Sequence, residues 1–81
     1  MDKLTNLLRY QTNLSNRRQS IQYQLKSLKS GAEPYLNVYN HSLPLDKDLV
    51  LDLLHNDLEA TEEALAQIAR KVEAINALLE A

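Results

Sequence analysis

Three side chains shortly after the midpoint of the chain have a spacing that could bind a metal ion. Asp48, Asp52 and His55 stand at positions i, i+4 and i+7, so a helix would place them on one face. Helical bundles that bind metal pairs repeat a carboxylate–histidine pair on two helices and add further carboxylates. This chain has no second copy of the pattern. We therefore interpret the three residues as an acidic, solvated face and predict no metal site.

The other polar residues do not indicate catalysis. The two histidines have no cysteine near them, because the chain contains none, and no serine in a recognisable nucleophile motif. Glu59, Glu62 and Glu63 are close in sequence, but paired carboxylates need a concave pocket, for which two helices leave no room. The single glycine, Gly31, cannot build a phosphate-binding loop. We expect no catalytic residue, no cofactor and no enzymatic activity.

Charge is divided between the two halves of the chain. Residues 1–31 hold six basic side chains and one acidic one, a balance of +5, whereas residues 32–81 hold ten acidic and three basic ones, a balance of −7. The basic side chains are spread around the predicted helix, whereas a phosphate-tracking surface needs them on one face. Nucleic-acid binding is therefore a weak alternative. Opposite charge favours packing of the first segment against the second.

A small anionic ligand is a second alternative. Tyr10, Arg18 and Lys26 are the candidates for binding such a ligand, for example a nucleotide, at an interface between several copies of the chain. Phage- or bacteria-encoded inhibitors and ligand-sequestering proteins can have this form, with tyrosine and basic side chains from several subunits forming one pocket.

The elements that must position these residues are two long helices. Residues 31–45 contain the glycine and both prolines and mark the connection. The segment 46–80 is predicted to be a helix with Asp46 as its N-cap. Its steps of three and four residues keep one apolar seam facing a partner helix. The seam positions are Leu51, Leu54, Leu58, Thr61, Leu65, Ile68, Val72, Ile75 and Leu79.

The first segment, residues 3–30, is predicted to be a second helix, ended by Gly31. Polar residues interrupt the apolar seams: Gln11 and Arg18 on this helix, and Thr61 on the other. We interpret these three residues as positions that set the register between the helices. The seam positions are Leu4, Leu7, Gln11, Leu14, Arg18, Ile21, Leu25 and Leu28. Within the connection, residues 34–40 are predicted to add a short helix that starts at Pro34.

The predicted fold is therefore an all-α, antiparallel, coiled-coil-like hairpin that forms a single domain over residues 1–81. A core this small supplies about 3–5 kcal/mol at most, and without cysteine it has no disulfide to supplement it. We expect the chain to complete its core by forming a homo-oligomer. No stretch has the roughly 18 apolar residues of a membrane span, and the first residues lack the apolar run of a secretory signal. The expected location is cytoplasmic.

Apolar residues outside the seam predict an interface. The candidates are Leu49, Leu53, Tyr23, Ala74, Ala77 and Leu78. The expected function is that of a small interaction module: a subunit, adaptor or chaperone-like partner that binds itself or another helical protein. In size and outline the chain is similar to the two-helix co-chaperones of type III secretion needle subunits. It is also similar to short coiled-coil subunits of kinetochore and tethering complexes. No shared motif assigns it to a family.

Overall fold

Two antiparallel helices, joined at one end by a two-stranded sheet, make up the molecule. The computed structural model describes residues 2–80, of which 77% are helical. Helix α1 spans Lys3–Lys29, strand β1 spans Tyr35–Val38, strand β2 spans His41–Pro44, and helix α2 spans Lys47–Glu80. The molecule is elongated, with principal extents of 57 × 25 × 16 Å. The predicted helical hairpin and its two long helices are confirmed.

Both helices begin with a capping aspartate, and α1 also ends with a local signal. The Asp2 side chain accepts a hydrogen bond of 3.0 Å from the Leu4 backbone N–H at the start of α1. Asp46 does the same for α2, accepting from the Asp48 N–H at 3.0 Å, which confirms the predicted N-cap. At the end of α1, Gly31 adopts a φ of +110°, and the next residue, Ala32, donates its N–H to the Ser27 carbonyl at 3.1 Å.

The end of α1 is a Schellman motif. In addition to the Ala32 bond, the Gly31 N–H donates to the Leu28 carbonyl at 3.2 Å, so two carbonyls of the last turn are satisfied. The positive φ explains why glycine stands at this position, since side chains with a Cβ rarely adopt it. The chain leaves α1 in a defined direction towards the two strands.

The core is the seam between α1 and α2. Eight of the nine predicted seam positions of α2 are buried or half-buried, and the exception, Leu79, is 72% exposed at the free end. Each helix has only one neighbour, so most seam side chains keep one flank in water, and no large side chain among residues 2–80 is below 2% exposed. The buried residues are Leu14, Ile21, Leu25, Leu28, Thr61 and Ile68.

One seam position on α1 was predicted wrongly. Arg18 is exposed, whereas the other seven positions of the predicted α1 seam are buried or half-buried. A guanidinium loses its hydration when it is buried, and the two-helix geometry lets this side chain remain in solvent. Gln11 is half-buried and Thr61 is only 3% exposed, so the register-setting role stays a prediction for these two.

The connection also differs from the prediction. Residues 34–40 do not form a short helix. Instead, β1 and β2 form an antiparallel hairpin in which Val38 faces His41 and Tyr35 faces Pro44. The two residues between the strands, Tyr39 and Asn40, have φ values of 48° and 65°. Positive φ at both central residues is typical of the type I′ turn that closes two-residue hairpins, and this turn excludes a helix here.

Candidate interaction surface

The β-hairpin has one apolar face. Side chains alternate along a strand, so Leu36 and Val38 on β1 share a face with Leu43 and His41 on β2. Leu36, Leu43 and Val38 are 51%, 48% and 37% exposed. These three side chains form an apolar patch that no other part of residues 2–80 covers.

The opposite face of the hairpin is more polar. It presents Tyr35, Asn37, Ser42 and Pro44. The Ser42 hydroxyl donates a hydrogen bond of 3.1 Å to Oδ1 of Asn37, which links the two strands across this face. The face therefore supports the local fold of the hairpin and leaves the Leu36 face to other contacts.

The hairpin stands away from the helices. Between residues three or more apart in sequence, no Cα atom of either strand lies within 8 Å of a helix Cα atom in the described range. An isolated two-stranded hairpin is marginally stable in water, because few side chains can bury apolar area against each other. The hairpin is therefore the part of the chain with the least internal support.

Below the hairpin, an apolar groove of about 330 Å³ opens between the two helices. Tyr23 and Leu28 of α1 line one wall, and Val50 and Leu54 of α2 line the other. The groove is shallow, and Tyr35 of β1 with Pro34 and Leu45 close its upper end. Tyr23, which was predicted to lie away from the seam, is 73% exposed at its rim.

The outer face of α2 continues the apolar surface. Leu49 and Leu53 of α2 are four residues apart and are 57% and 60% exposed, and Leu45, just before the helix, is 42% exposed. Four-residue spacing places side chains in a row along one face of a helix. The hairpin patch, the groove and this row therefore concentrate exposed apolar side chains at the connected end of the molecule.

The free end of the helical hairpin exposes the other predicted interface residues. Leu78 is 77% exposed, and Ala74 and Ala77 are also exposed. Because α2 is longer than α1, 34 residues against 27, its last turn has less neighbouring surface. All six predicted interface candidates thus lie on the surface, divided between the two ends of the molecule.

Charge pairing between the helices occurs at one position that the sequence did not single out. Nη2 of Arg17 lies 2.9 Å from Oδ1 and 2.7 Å from Oδ2 of Asp57, where the side chains are 58% and 37% exposed. The neighbouring Arg18, a position of the predicted α1 seam, is exposed to solvent. Arg17 forms the ion pair because it lies on the side of α1 that is next to the acidic helix α2.

The candidates for an anionic ligand do not come together within one chain. Tyr10, Arg18 and Lys26 are eight residues apart on α1, which separates neighbours by about 12 Å along the axis. Tyr10 instead lines a shallow hollow with Lys3 and Lys71, and Lys26 lines another with Lys29 and His55. Any pocket that joins Tyr10, Arg18 and Lys26 would need further copies of the chain.

Asp48, Asp52 and His55 are all exposed on α2, and residues 2–80 contain no group of three histidine or acidic side chains that could hold a metal ion. In the same range, no helix combines the length and apolarity needed to cross a bilayer.

The β-hairpin that carries the apolar patch is the feature that sequence reasoning missed. A two-residue turn is usually signalled by Asn-Gly or Asp-Gly, whereas Tyr39-Asn40 lacks the glycine. The available signal was the alternation of apolar and polar residues in Leu36-Asn37-Val38, which has the period of a strand.

Comparison with models of protein families, with curated proteins and with solved structures finds no match to this chain.

Proposed function

We propose that the chain is a non-catalytic protein–protein interaction module, which binds by burying exposed apolar surface of α2 and of the connection. The observation that supports this is the concentration of exposed apolar side chains at the connected end. They form the hairpin patch, the groove rim and the outer row of α2: Tyr23, Leu36, Val38, Leu43, Leu45, Leu49 and Leu53. Exposed apolar side chains concentrated in one part of a molecule are typical of an interface.

The small core supports the same proposal. Only five apolar residues of the described chain are buried, so the internal hydrophobic contribution is modest. Association would bury the exposed leucines at about 25 cal/mol per Å² of apolar area and so add to the stability of the fold. We propose the cytoplasm as the location and a second copy of the chain as the first partner to test.

The opposite charges of the helices make self-association compatible with electrostatics. The acidic α2 of one copy can pack beside the basic α1 of another, whereas like helices side by side would repel. The adaptor, subunit and chaperone-like forms of the function all use this mechanism and differ only in whether the final partner is the same chain or another helical protein.

Sedimentation equilibrium at micromolar concentration tests the proposal. The wild-type chain should sediment above its monomer mass of 9.3 kDa. The double variant Leu49→Ser/Leu53→Ser should raise the dissociation constant at least about tenfold, which corresponds to about 1.4 kcal/mol. The matched control, Asp48→Ser/Asp52→Ser, changes exposed residues of the same helical turns and should keep the wild-type mass.

Two results would contradict self-association through the outer face of α2. A 9.3 kDa monomer at every concentration would exclude self-association. An oligomer of unchanged stability in the leucine double variant, with circular dichroism showing intact helices, would exclude the outer face of α2 from the interface.

A second candidate function is the binding of a small anion. The observation in its favour is the hollow near the free end, where Lys3 and Lys71 flank Tyr10. Calorimetric titration with ATP tests it, and Lys71→Gln should weaken any binding, whereas Lys47→Gln near the opposite end should not. If the wild-type chain gives no heat of binding, the anion-binding function is excluded.

A further inference from the structure

The two outer edges of the β-hairpin are not equivalent. In a hairpin with a two-residue loop, the pairs Val38–His41 and Leu36–Leu43 exchange backbone hydrogen bonds inside the hairpin. The Leu45 N–H donates to the Pro34 carbonyl at 3.1 Å, which continues the same alternation. The N–H and C=O groups of the residues between these pairs therefore point outward.

On β1 the outward groups belong to Tyr35 and Asn37, which offer two donors and two acceptors. On β2 they belong to Ser42 and Pro44, and proline has no N–H. The β1 edge can therefore form a full hydrogen-bonding ladder with another strand, whereas the β2 edge lacks one donor.

The β1 edge is short, at four residues, but it lacks the charges and bulges that also prevent edge pairing. Natural proteins protect free edges with charged side chains, bulges or a covering element. Residues 34–45 contain no Lys, Arg, Asp or Glu, and both strands are exposed along their whole length. An uncharged edge can meet an identical edge without repulsion.

We propose that β1 is a self-pairing edge, which joins β1 of a second copy in antiparallel orientation about a two-fold axis at Leu36. This inference rests on the proposed function and deepens it by adding a backbone contact at the β1 edge to the apolar contacts proposed for the outer face of α2. The register places Tyr35 of each copy opposite Asn37 of the other, so that all four outward N–H groups find a carbonyl.

This register joins the apolar faces of the two copies and limits the assembly to a dimer. Leu36 and Leu36 of the second copy form a non-hydrogen-bonded pair, in which Cα atoms are about 4.5 Å apart. Leu36, Val38 and Leu43 of both copies then lie on one face of a four-stranded sheet, the size at which a sheet becomes stable. Pro44 lies on each outer edge of that sheet and opposes further growth.

A pair of single-cysteine variants tests the proposal, since the chain has no cysteine of its own. Under mild oxidation, Leu36→Cys should form a disulfide-linked dimer of twice the monomer mass, because a separation of about 4.5 Å lies within disulfide range. Leu43→Cys is the matched control, on the same face and with similar exposure. Across three strand spacings its two copies would be about 14 Å apart, which is too far for a disulfide.

Equal crosslinking of the two variants, preferential crosslinking of Leu43→Cys, or no crosslinking of either would overturn the proposal. Amide hydrogen exchange of the unmodified chain gives an independent measurement. On association the amides of Tyr35 and Asn37 should slow by at least about tenfold, or about 1.4 kcal/mol. The amide of Ser42, on the other edge, should keep its monomer rate.

The two proposals fail in different ways. If the chain sediments as an oligomer while the Asn37 amide exchanges as fast as that of Ser42, the β1 edge is not the contact, and the module function stands. If the chain is a monomer at every concentration, self-association through any surface is excluded.

Discussion

The helical seam and the β-hairpin contain similar apolar residues in opposite surroundings. Leu25 on the seam is 5% exposed, whereas Leu36 on the hairpin is 51% exposed. The difference arises because α1 and α2 supply each other with a complementary surface, whereas among residues 2–80 no helix Cα atom lies within 8 Å of a strand Cα atom. An apolar pattern therefore predicts a need for burial, and the rest of the fold decides whether that need is met within the chain.

The largest difference between the two regions should appear when one leucine is shortened in each. Leu25→Ala should lower the free energy of unfolding by about 2–5 kcal/mol, because it removes a buried side chain and leaves a cavity. For a chain of this size each kcal/mol lowers the melting temperature by about 4–8 °C. In dilute solution Leu36→Ala should change the free energy of unfolding by less than about 0.5 kcal/mol, the usual range for a surface substitution. Thermal melts followed by circular dichroism compare the two, and equal shifts would contradict the division into a supported and an unsupported region.

The junction between the seam and the connection depends on Gly31. A Cβ at this position would meet no atom within 4 Å, so the effect of Gly31→Ala is conformational and not steric. The φ of +110° should make alanine cost about 1–2 kcal/mol. Gly31→Asn should cost less, because asparagine tolerates positive φ at the end of a helix. Denaturant unfolding measures both, and an alanine variant as stable as the wild-type chain would show that the exit from α1 can rearrange freely.

The other junction depends on the cap of α2. Asp46→Ala should lower the free energy of unfolding by about 1 kcal/mol, whereas Asp46→Asn should remain close to the wild-type value. Asp2→Ala removes the equivalent bond at the free end of α1, where fraying of the first turn reduces the effect on global unfolding. If the two alanine variants lose the same stability in urea unfolding, the connected end is no better ordered than the free end.

The smallest effect is expected for the ion pair between Arg17 and Asp57. Both side chains are more than a third exposed, so solvent screens the interaction. A double-mutant cycle with alanine at both positions should give a coupling energy of about 0.2–1 kcal/mol. The coupling should fall as salt is added. The control is the same cycle with Arg18→Ala in place of Arg17→Ala. If Arg18 and Asp57 gave an equally large coupling energy, α1 would be rotated from its place in the structure.

Much of the helical architecture was predictable because its signals are local and repeated. The predicted helices over 3–30 and 46–80 agree with the observed Lys3–Lys29 and Lys47–Glu80 to within one residue. The apolar period, the single glycine and the capping aspartate act within one or two helical turns of the residues they affect. They therefore specify the two long helices without reference to the rest of the chain.

The sequence by itself determined the two helices, their seam and their ends, and only the tertiary structure decided the connection and the rotation of α1. Residues 34–40 carry two competing local signals: the alternation of a strand, and Pro34, which can start a helix. Backbone pairing across the Tyr39-Asn40 turn selects the strands. Arg17 and Arg18 are adjacent in sequence, and only the packing of α1 on α2 places one beside Asp57 and leaves the other in solvent. The physical reason is that a local period specifies which face of a helix is apolar, whereas pairings between distant residues depend on a geometry that exists only after the elements have packed.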